Sequence, residues 1–403
     1  MAVWRTRGQP AALAAIAVAS STGAPPHAVL LTGPPGSGKT TLALDLAAAL
    51  LCTAAEVADR PCRDCAACRR VEHGNHPDLH RLAPSGPGRQ VRIGDRLAPE
   101  PGTVRSLTRE LSLAPLEGAW RVAVVEEADR LNEDSQNALL KLLEEPPVGT
   151  VLVLCAATED ALLPTVRSRC VHLRLGPVPP RQIAAMLEEE GIADAVSAAA
   201  LAGLAEGRPG RARALAAAPQ AVVLHQRILR ELLDLTRQGR AERLAAAAGL
   251  LAAADQLEEL LGGPAGSTAT APTASRATAT GSPATAPTAS PPAVEAPDDE
   301  PAGGGRRDRQ APGVRRASLL ALTQLWSGLA RDLAVAGRGG RAELRHVDLL
   351  EELVATASAL PPGAADSFLA LLDTVADAAE RNANPELALD VLLLAWPPAT
   401  RAA

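Results

Sequence analysis

Gly33-Pro34-Pro35-Gly36-Ser37-Gly38-Lys39-Thr40 fits the pattern G-x-x-x-x-G-K-[ST] without a gap. Each residue type has a task in such a run. The glycines let backbone N–H groups turn inward around phosphate oxygens, and a following helix offers its positive N-terminus. Lys39 would reach the β- and γ-phosphates of ATP, and the Thr40 hydroxyl would ligate Mg²⁺. Hydrolysis needs more: a second strand whose end carries a metal-orienting Asp and a water-activating Glu. The candidate is Val122 to Val125, followed by Glu126-Glu127-Ala128-Asp129. Glu126 stands where Asp is expected, and its extra methylene moves the carboxylate outward by about one bond length. Glu127 sits in the place of the catalytic base. Two solvated carboxylates capping a strand are the plain alternative, so the expectation is an ATP-binding site with impaired turnover.

A second constellation is Cys62-x2-Cys65-x2-Cys68, with Cys52 upstream. Tight Cys-x2-Cys loops bring two sulfurs to one tetrahedral ion, and a closed four-thiolate shell is a structural Zn²⁺ site. His73 or His76 stands close enough in sequence to replace Cys52 as fourth ligand. Cys155 and Cys170 read as small buried apolar residues.

Elements must position these residues. Ala28 to Leu31, Val122 to Val125 and Val151 to Leu154 are apolar runs of strand length, and Thr41 to Leu51 continues the glycine-rich loop as helix. Strands alternating with helices over residues 1–176 predict a parallel α/β sheet with helices on both faces. Residues 177–218 read as a small helical unit broken at Gly207-Arg208-Pro209-Gly210, and residues 219–262 and 315–399 as helical. Between them, 263–314 is a Pro/Ala/Thr/Ser tract with an acidic and then a basic patch, whose composition predicts disorder.

The chain has no Tyr, one Phe and four Trp, so aliphatic and Ala side chains must fill its core. A net charge of −6 argues against a chain that coats nucleic acid unaided. The apolar run from Ala11 to Ala19, preceded by Arg5 and Arg7, has the look of a secretory signal. A phosphate loop beginning at Gly33 favours an amphipathic first helix in a cytoplasmic protein instead.

Taken together, these parts resemble the AAA+ clamp-loader family of the bacterial replicase, DNA polymerase III. The cysteine insert at 52–68 is similar to that family's zinc module. Asn137-Ala138-Leu139-Leu140-Lys141-Leu142-Leu143-Glu144-Glu145-Pro146-Pro147 resembles its helix after the second ATPase strand, and Arg167-Ser168-Arg169-Cys170 its Ser-Arg-Cys motif. Asn384-Pro385-Glu386-Leu387-Ala388-Leu389-Asp390 is similar to the last helix of its collar domain. The resemblance implies an AAA+ domain, a helical lid over 177–218 and an all-α collar. It implies a hetero-pentamer with gamma/tau and delta subunits that loads a sliding clamp onto primed DNA, driven by ATP. It also implies that Arg169 serves as a finger toward a neighbouring subunit's nucleotide. Against the family's gamma/tau motor, this chain has Glu126-Glu127 for Asp-Glu, and Gly210 where the motor's lid has Arg. The long insert is not a family feature.

Overall fold

The computed structural model describes residues 2–85, 90–261, 312–341, 344–380 and 383–399. Of the tract expected to be disordered, 263–314, residues 263–311 lie outside the described residues. Among those described, no helix is long and apolar enough to cross a membrane.

The first half is a five-stranded parallel sheet. Its strands are β1 (Ala28–Thr32), β2 (Leu79–Leu82), β3 (Arg121–Val125), β4 (Thr150–Ala156) and β5 (Val171–Arg174), in the order β2-β3-β4-β1-β5. Every residue of β1, β3 and β4 is buried. That is why these three strands read as unbroken apolar runs, as central parallel strands do.

Alternate side chains divide between two faces. Val29, Leu31, Val122, Val124, Val151 and Val153 pack against Ala12 and Ile16 of α1 (Pro10–Ser21) and Leu42 and Leu46 of α2 (Lys39–Leu51). A short helix, α3 (Ala66–Glu72), adds Val71 to that layer. Leu30, Ala123, Val125, Leu152 and Leu154 face the opposite way. They meet Leu107 and Leu111 of α4 (Val104–Leu111), Leu139 and Leu143 of α5 (Glu133–Glu144), and Val166 of α6 (Pro164–Arg167). The helix after the phosphate loop begins at Lys39, two residues earlier than its pattern suggests.

The lid is α7 (Pro180–Glu189), α8 (Ala195–Leu204) and α9 (Pro209–Ala217), closed around Ile183, Met186, Leu187, Ala198 and Ala202. Asp194 caps α8 by accepting from the Val196 and Ser197 amides, and Pro209 starts α9 at the position where proline costs no hydrogen bond.

The remainder is a bundle of α10 (Pro219–Leu235), α11 (Arg240–Leu260), α12 (Pro312–Gly337), α13 (Leu350–Ala359), α14 (Ala364–Glu380) and α15 (Pro385–Ala395). Helix α12 starts three residues inside the stretch assigned to the insert. The helices on either side of that stretch, α11 and α12, contribute to one core, and the Ser318 hydroxyl donates to Asp255 at 3.1 Å. Much of the chain's scarce aromatic content goes here. The one Phe and two of the four Trp form a cluster, with ring centroids of Trp326, Phe368 and Trp396 4.6–5.3 Å apart. The Trp396 indole N–H donates to the Leu232 carbonyl at 2.8 Å, which fastens the end of α15 onto α10.

Where lid meets bundle the core turns polar. His225 of α10 is fully buried, and neither ring nitrogen has a partner. Its ring stacks on His346, centroids 6.1 Å apart, while His346 Nδ1 lies 2.8 Å from Asp332 Oδ2. Burial, reinforced by Arg211, His346 and Arg208, holds the His225 pKa well below its ordinary value. A histidine with a depressed folded pKa contributes full stability above its unfolded pKa of about 6.5, and that contribution is lost as pH falls below it. We therefore expect the urea midpoint to fall between about pH 7.5 and about pH 5.5, and His225→Leu to flatten that slope. An unchanged slope in the variant would assign the acid sensitivity elsewhere.

Candidate nucleotide site and cysteine centre

Strand β1 delivers the phosphate loop. Beyond Thr32 the chain turns through Gly33, whose N–H donates to the Ala157 carbonyl after β4 at 3.3 Å. A side chain at Gly33 would run into the Leu175 carbonyl. Gly38 caps α2 with φ +96°, in the left-handed region that only glycine enters freely, and no side chain caps that helix. The Lys39 ammonium folds back on the loop, donating to the Gly33 carbonyl at 2.6 Å and the Pro34 carbonyl at 2.9 Å. The Ser37 hydroxyl is buried without a partner. An uncapped helix start, an orphaned hydroxyl and an ammonium hydrogen-bonded to loop carbonyls are the donor set that a phosphate chain satisfies.

Burial lowers the Lys39 pKa; the Cys155 thiol, Asp129 and Glu127 act against that. The carboxylates that act on the lysine are thus Asp129 and Glu127. Asp129 was not singled out from the sequence, although it ends the same Glu-Glu-Ala-Asp run. Its Oδ1 accepts from the Ala157 amide at 3.0 Å, tying the end of β3 to the loop after β4. Glu127 adopts φ +49°, unusual for a residue with a side chain, and lies 3.6 Å from Arg130. Glu126, the expected metal-orienting residue, is engaged by Arg81 of β2, which donates through Nε at 2.9 Å and Nη2 at 2.6 Å. A Mg²⁺ held by Glu126 would have to share it with that guanidinium. Cys155 is fully buried within electrostatic reach of Lys39, Glu126 and Asp129, and burial pushes its thiol up to about 12.

Arg169 lies far along the chain from the loop, after α6 and before β5. Its guanidinium reaches back to α5, pairing with Glu144 at 2.8 Å, and donates to the Thr165 carbonyl at 2.8 Å. About a third of its side chain is exposed to solvent (36%), so it is held yet accessible.

The four cysteines come together. Their sulfurs lie within 4.8 Å of one another, and His73 and His76 are outside the group. Backbone amides point at the sulfurs: Cys65 N–H at Cys62 Sγ (3.4 Å), Cys68 N–H at Cys65 Sγ (3.4 Å) and Ala54 N–H at Cys52 Sγ (3.5 Å). Burial pushes the Cys65 thiol up, but hydrogen bonds from Thr53 and Cys68 outweigh it and bring it to about 6. Four converging sulfurs with N–H groups directed at them fit a tetrahedral ion such as Zn²⁺.

One carboxylate joins this centre to the phosphate-loop helix. Asp45 of α2 is buried (1% exposed), accepts from the Arg5 amide at 3.1 Å and the Thr6 amide at 2.8 Å, and pairs with Arg63 between Cys62 and Cys65. A lone acid among the apolar residues of α2 was the available signal for it.

A parallel sheet in this strand order, with a glycine-rich loop of phosphate-binding pattern after β1 and paired acids after β3, is an AAA+ fold. Residues 8–179 match the family model described as DNA polymerase III, delta subunit. It is 36% identical to the DNA polymerase III subunit delta′ of Bacillus subtilis over 166 residues, 41% of this chain and 47% of that one. It is 33% identical to the delta′ subunit of Escherichia coli over 189 residues, 47% of this chain and 54% of that one. Against the gamma/tau subunit of Mycobacterium tuberculosis it is 35% identical over 193 residues, 46% of this chain and 31% of that one. The chain thus spans about half the length of the delta′ relatives it matches.

Removing one partner of a buried ion pair leaves the other charged and unpaired, at a cost of about 3–5 kcal/mol. Asp45→Ala also orphans two backbone amides. We expect it to lower stability by about that amount, and Arg63→Ala by less, in urea unfolding. Equal midpoints for Asp45→Ala and the parent chain would refute the link.

Proposed function

We propose that this chain is a delta′-type subunit of a bacterial DNA polymerase III clamp loader. It acts in the cytoplasm, in a hetero-pentamer with gamma/tau and delta subunits, and assists ATP-driven loading of the sliding clamp onto primed DNA. The observation that carries this reading is the delta′ family match over the very residues that build the phosphate loop and lead to Arg169. Gly33, Pro34, Pro35, Gly36, Ser37, Gly38, Lys39 and Thr40 hold the phosphates. Thr40 and, to the extent Arg81 releases it, Glu126 hold Mg²⁺. Bound ATP supplies an anhydride whose cleavage can be coupled to opening the clamp.

Within this chain, Lys39 neutralises phosphate charge, and Glu127 is the base that would orient water. The Glu126–Arg81 pair weighs against efficient turnover here. Arg169 acts in trans, released from Glu144 to stabilise charge developing at a neighbour's γ-phosphate. That exchange costs little, because a half-exposed ion pair is worth about 1 kcal/mol or less. The intact phosphate loop and the likeness to gamma/tau subunits favour a second reading, a motor subunit that hydrolyses ATP itself.

The cysteine centre holds one structural Zn²⁺ through Cys52, Cys62, Cys65 and Cys68. Protein purified without chelator should contain about one zinc per chain, and chelation should lower its melting temperature. Metal-free protein with an unchanged melting curve would remove zinc from the account.

The two readings separate on two variants in the reconstituted loader. Arg169→Ala should leave this chain's own nucleotide affinity nearly unchanged while cutting turnover at the adjoining interface, where fingers are commonly worth roughly 10³ to 10⁵ in rate. Lys39→Ala should abolish this chain's nucleotide binding and spare most clamp loading. Equal damage from both would make the subunit a motor.

A further inference from the structure

Arg208 touches the phosphate loop with one end and the collar with the other. Its methylene stem lies against Gly36: a methyl placed on that glycine would sit 3.3 Å from Arg208 Cβ and 3.6 Å from Cδ. Gly210, in the first turn of α9, lies over the same residue, its own added methyl 3.8 Å from the Gly36 carbonyl oxygen. The guanidinium turns the other way. Nη1 donates to Gln324 Oε1 on α12 at 2.6 Å, Nε to the Ala205 carbonyl at 3.4 Å, and Nη2 pairs with Glu206.

Around this side chain, lid and collar are docked at glycine distance. Gly328 of α12 faces Glu206, whose Oε1 would lie 2.8 Å from an added methyl. Gly203 of α8 faces the Arg345 carbonyl, which would lie 2.7 Å from one. Glu206 itself holds φ +52°, a conformation that persists only where the surroundings enforce it. Packing this close does not deform smoothly; it holds one arrangement or gives way to another.

We propose that Arg208 is a positioning residue that couples the phosphate loop to the collar: a change of shape at Gly36 moves its stem, and its head carries that movement to Gln324 and α12. This rests on the nucleotide-binding reading of the loop given above. Lys39 supplies the reason for the change of shape. Drawing its ammonium onto a phosphate frees the Gly33 and Pro34 carbonyls, two residues short of Gly36. The readout is steric, since the Arg208 charge is committed to Gln324 and Glu206 and not to the loop. Coupling of this kind is reciprocal, so whatever nucleotide does to α12, α12 does to nucleotide affinity.

The test uses the full chain with a non-hydrolysable ATP analogue and Mg²⁺, measuring the Kd and amide hydrogen exchange along α12. In the parent protein the analogue should slow exchange around Gln324. Gln324→Leu, a change on the collar, should abolish that slowing and weaken the Kd by about fivefold or more, while Gln324→Glu, which keeps an acceptor for Arg208, should preserve both. A Kd within about twofold of the parent in Gln324→Leu, or α12 exchange indifferent to bound analogue, overturns the proposal. If the parent chain binds no nucleotide, it is the reading of the loop that has failed. The coupling is then decided by Gly36→Ala, whose methyl presses on the Arg208 stem. Altered α12 exchange in that variant supports it, and unchanged exchange overturns it.

Discussion

Strand β1 is hydrogen-bonded along both edges, to β4 and to β5, and covered on both faces by apolar side chains. A backbone held in this way has no freedom left at its C-terminal end, so the chain leaving Thr32 must turn where β4 also ends. The Gly33–Ala157 hydrogen bond and the Asp129–Ala157 hydrogen bond are consequences of that convergence. Three strand ends, from β1, β3 and β4, bring the loop, the acids and Cys155 within electrostatic reach of Lys39. The site is a property of the sheet's order before it is a property of any one side chain, as expected where strand order reverses in an open parallel sheet.

Two kinds of glue hold the rest. The collar relies on dispersion and area, with three aromatic rings packed at tilted to edge-on angles among leucines. The lid–collar junction instead buries His225, Asp332, His346, Arg208 and Arg211, with several of their polar atoms unpartnered. Such groups cost more than an apolar core would, and they make the junction sensitive to proton and ligand in a way that the collar's interior is not.

Central strands and the phosphate loop were legible because burial on both faces writes an unbroken apolar run and because the loop's chemistry tolerates few substitutes. Strand β2, with its Leu-His-Arg-Leu sequence at the sheet edge, and β5, largely exposed, carry no such signature. Residues 219–262 read as one helical stretch, yet the chain breaks between Leu235 and Arg240; Gly239 was the cue. The four cysteines could be paired from spacing, whereas the Arg81–Glu126 and Asp45–Arg63 pairs could not, since each joins positions whose nearness depends on the folded sheet. Asp129 lay in plain view but without a pattern to assign it a partner.

The distribution of indoles has an optical consequence. With no tyrosine present, ultraviolet emission from this chain comes almost wholly from Trp4, Trp120, Trp326 and Trp396. The first two are half-buried against the sheet's helical layer, and the last two are sealed in the collar. An aqueous quencher therefore reaches the sheet pair and leaves the collar pair bright, so the two halves of the molecule report separately, in one cuvette and without a label.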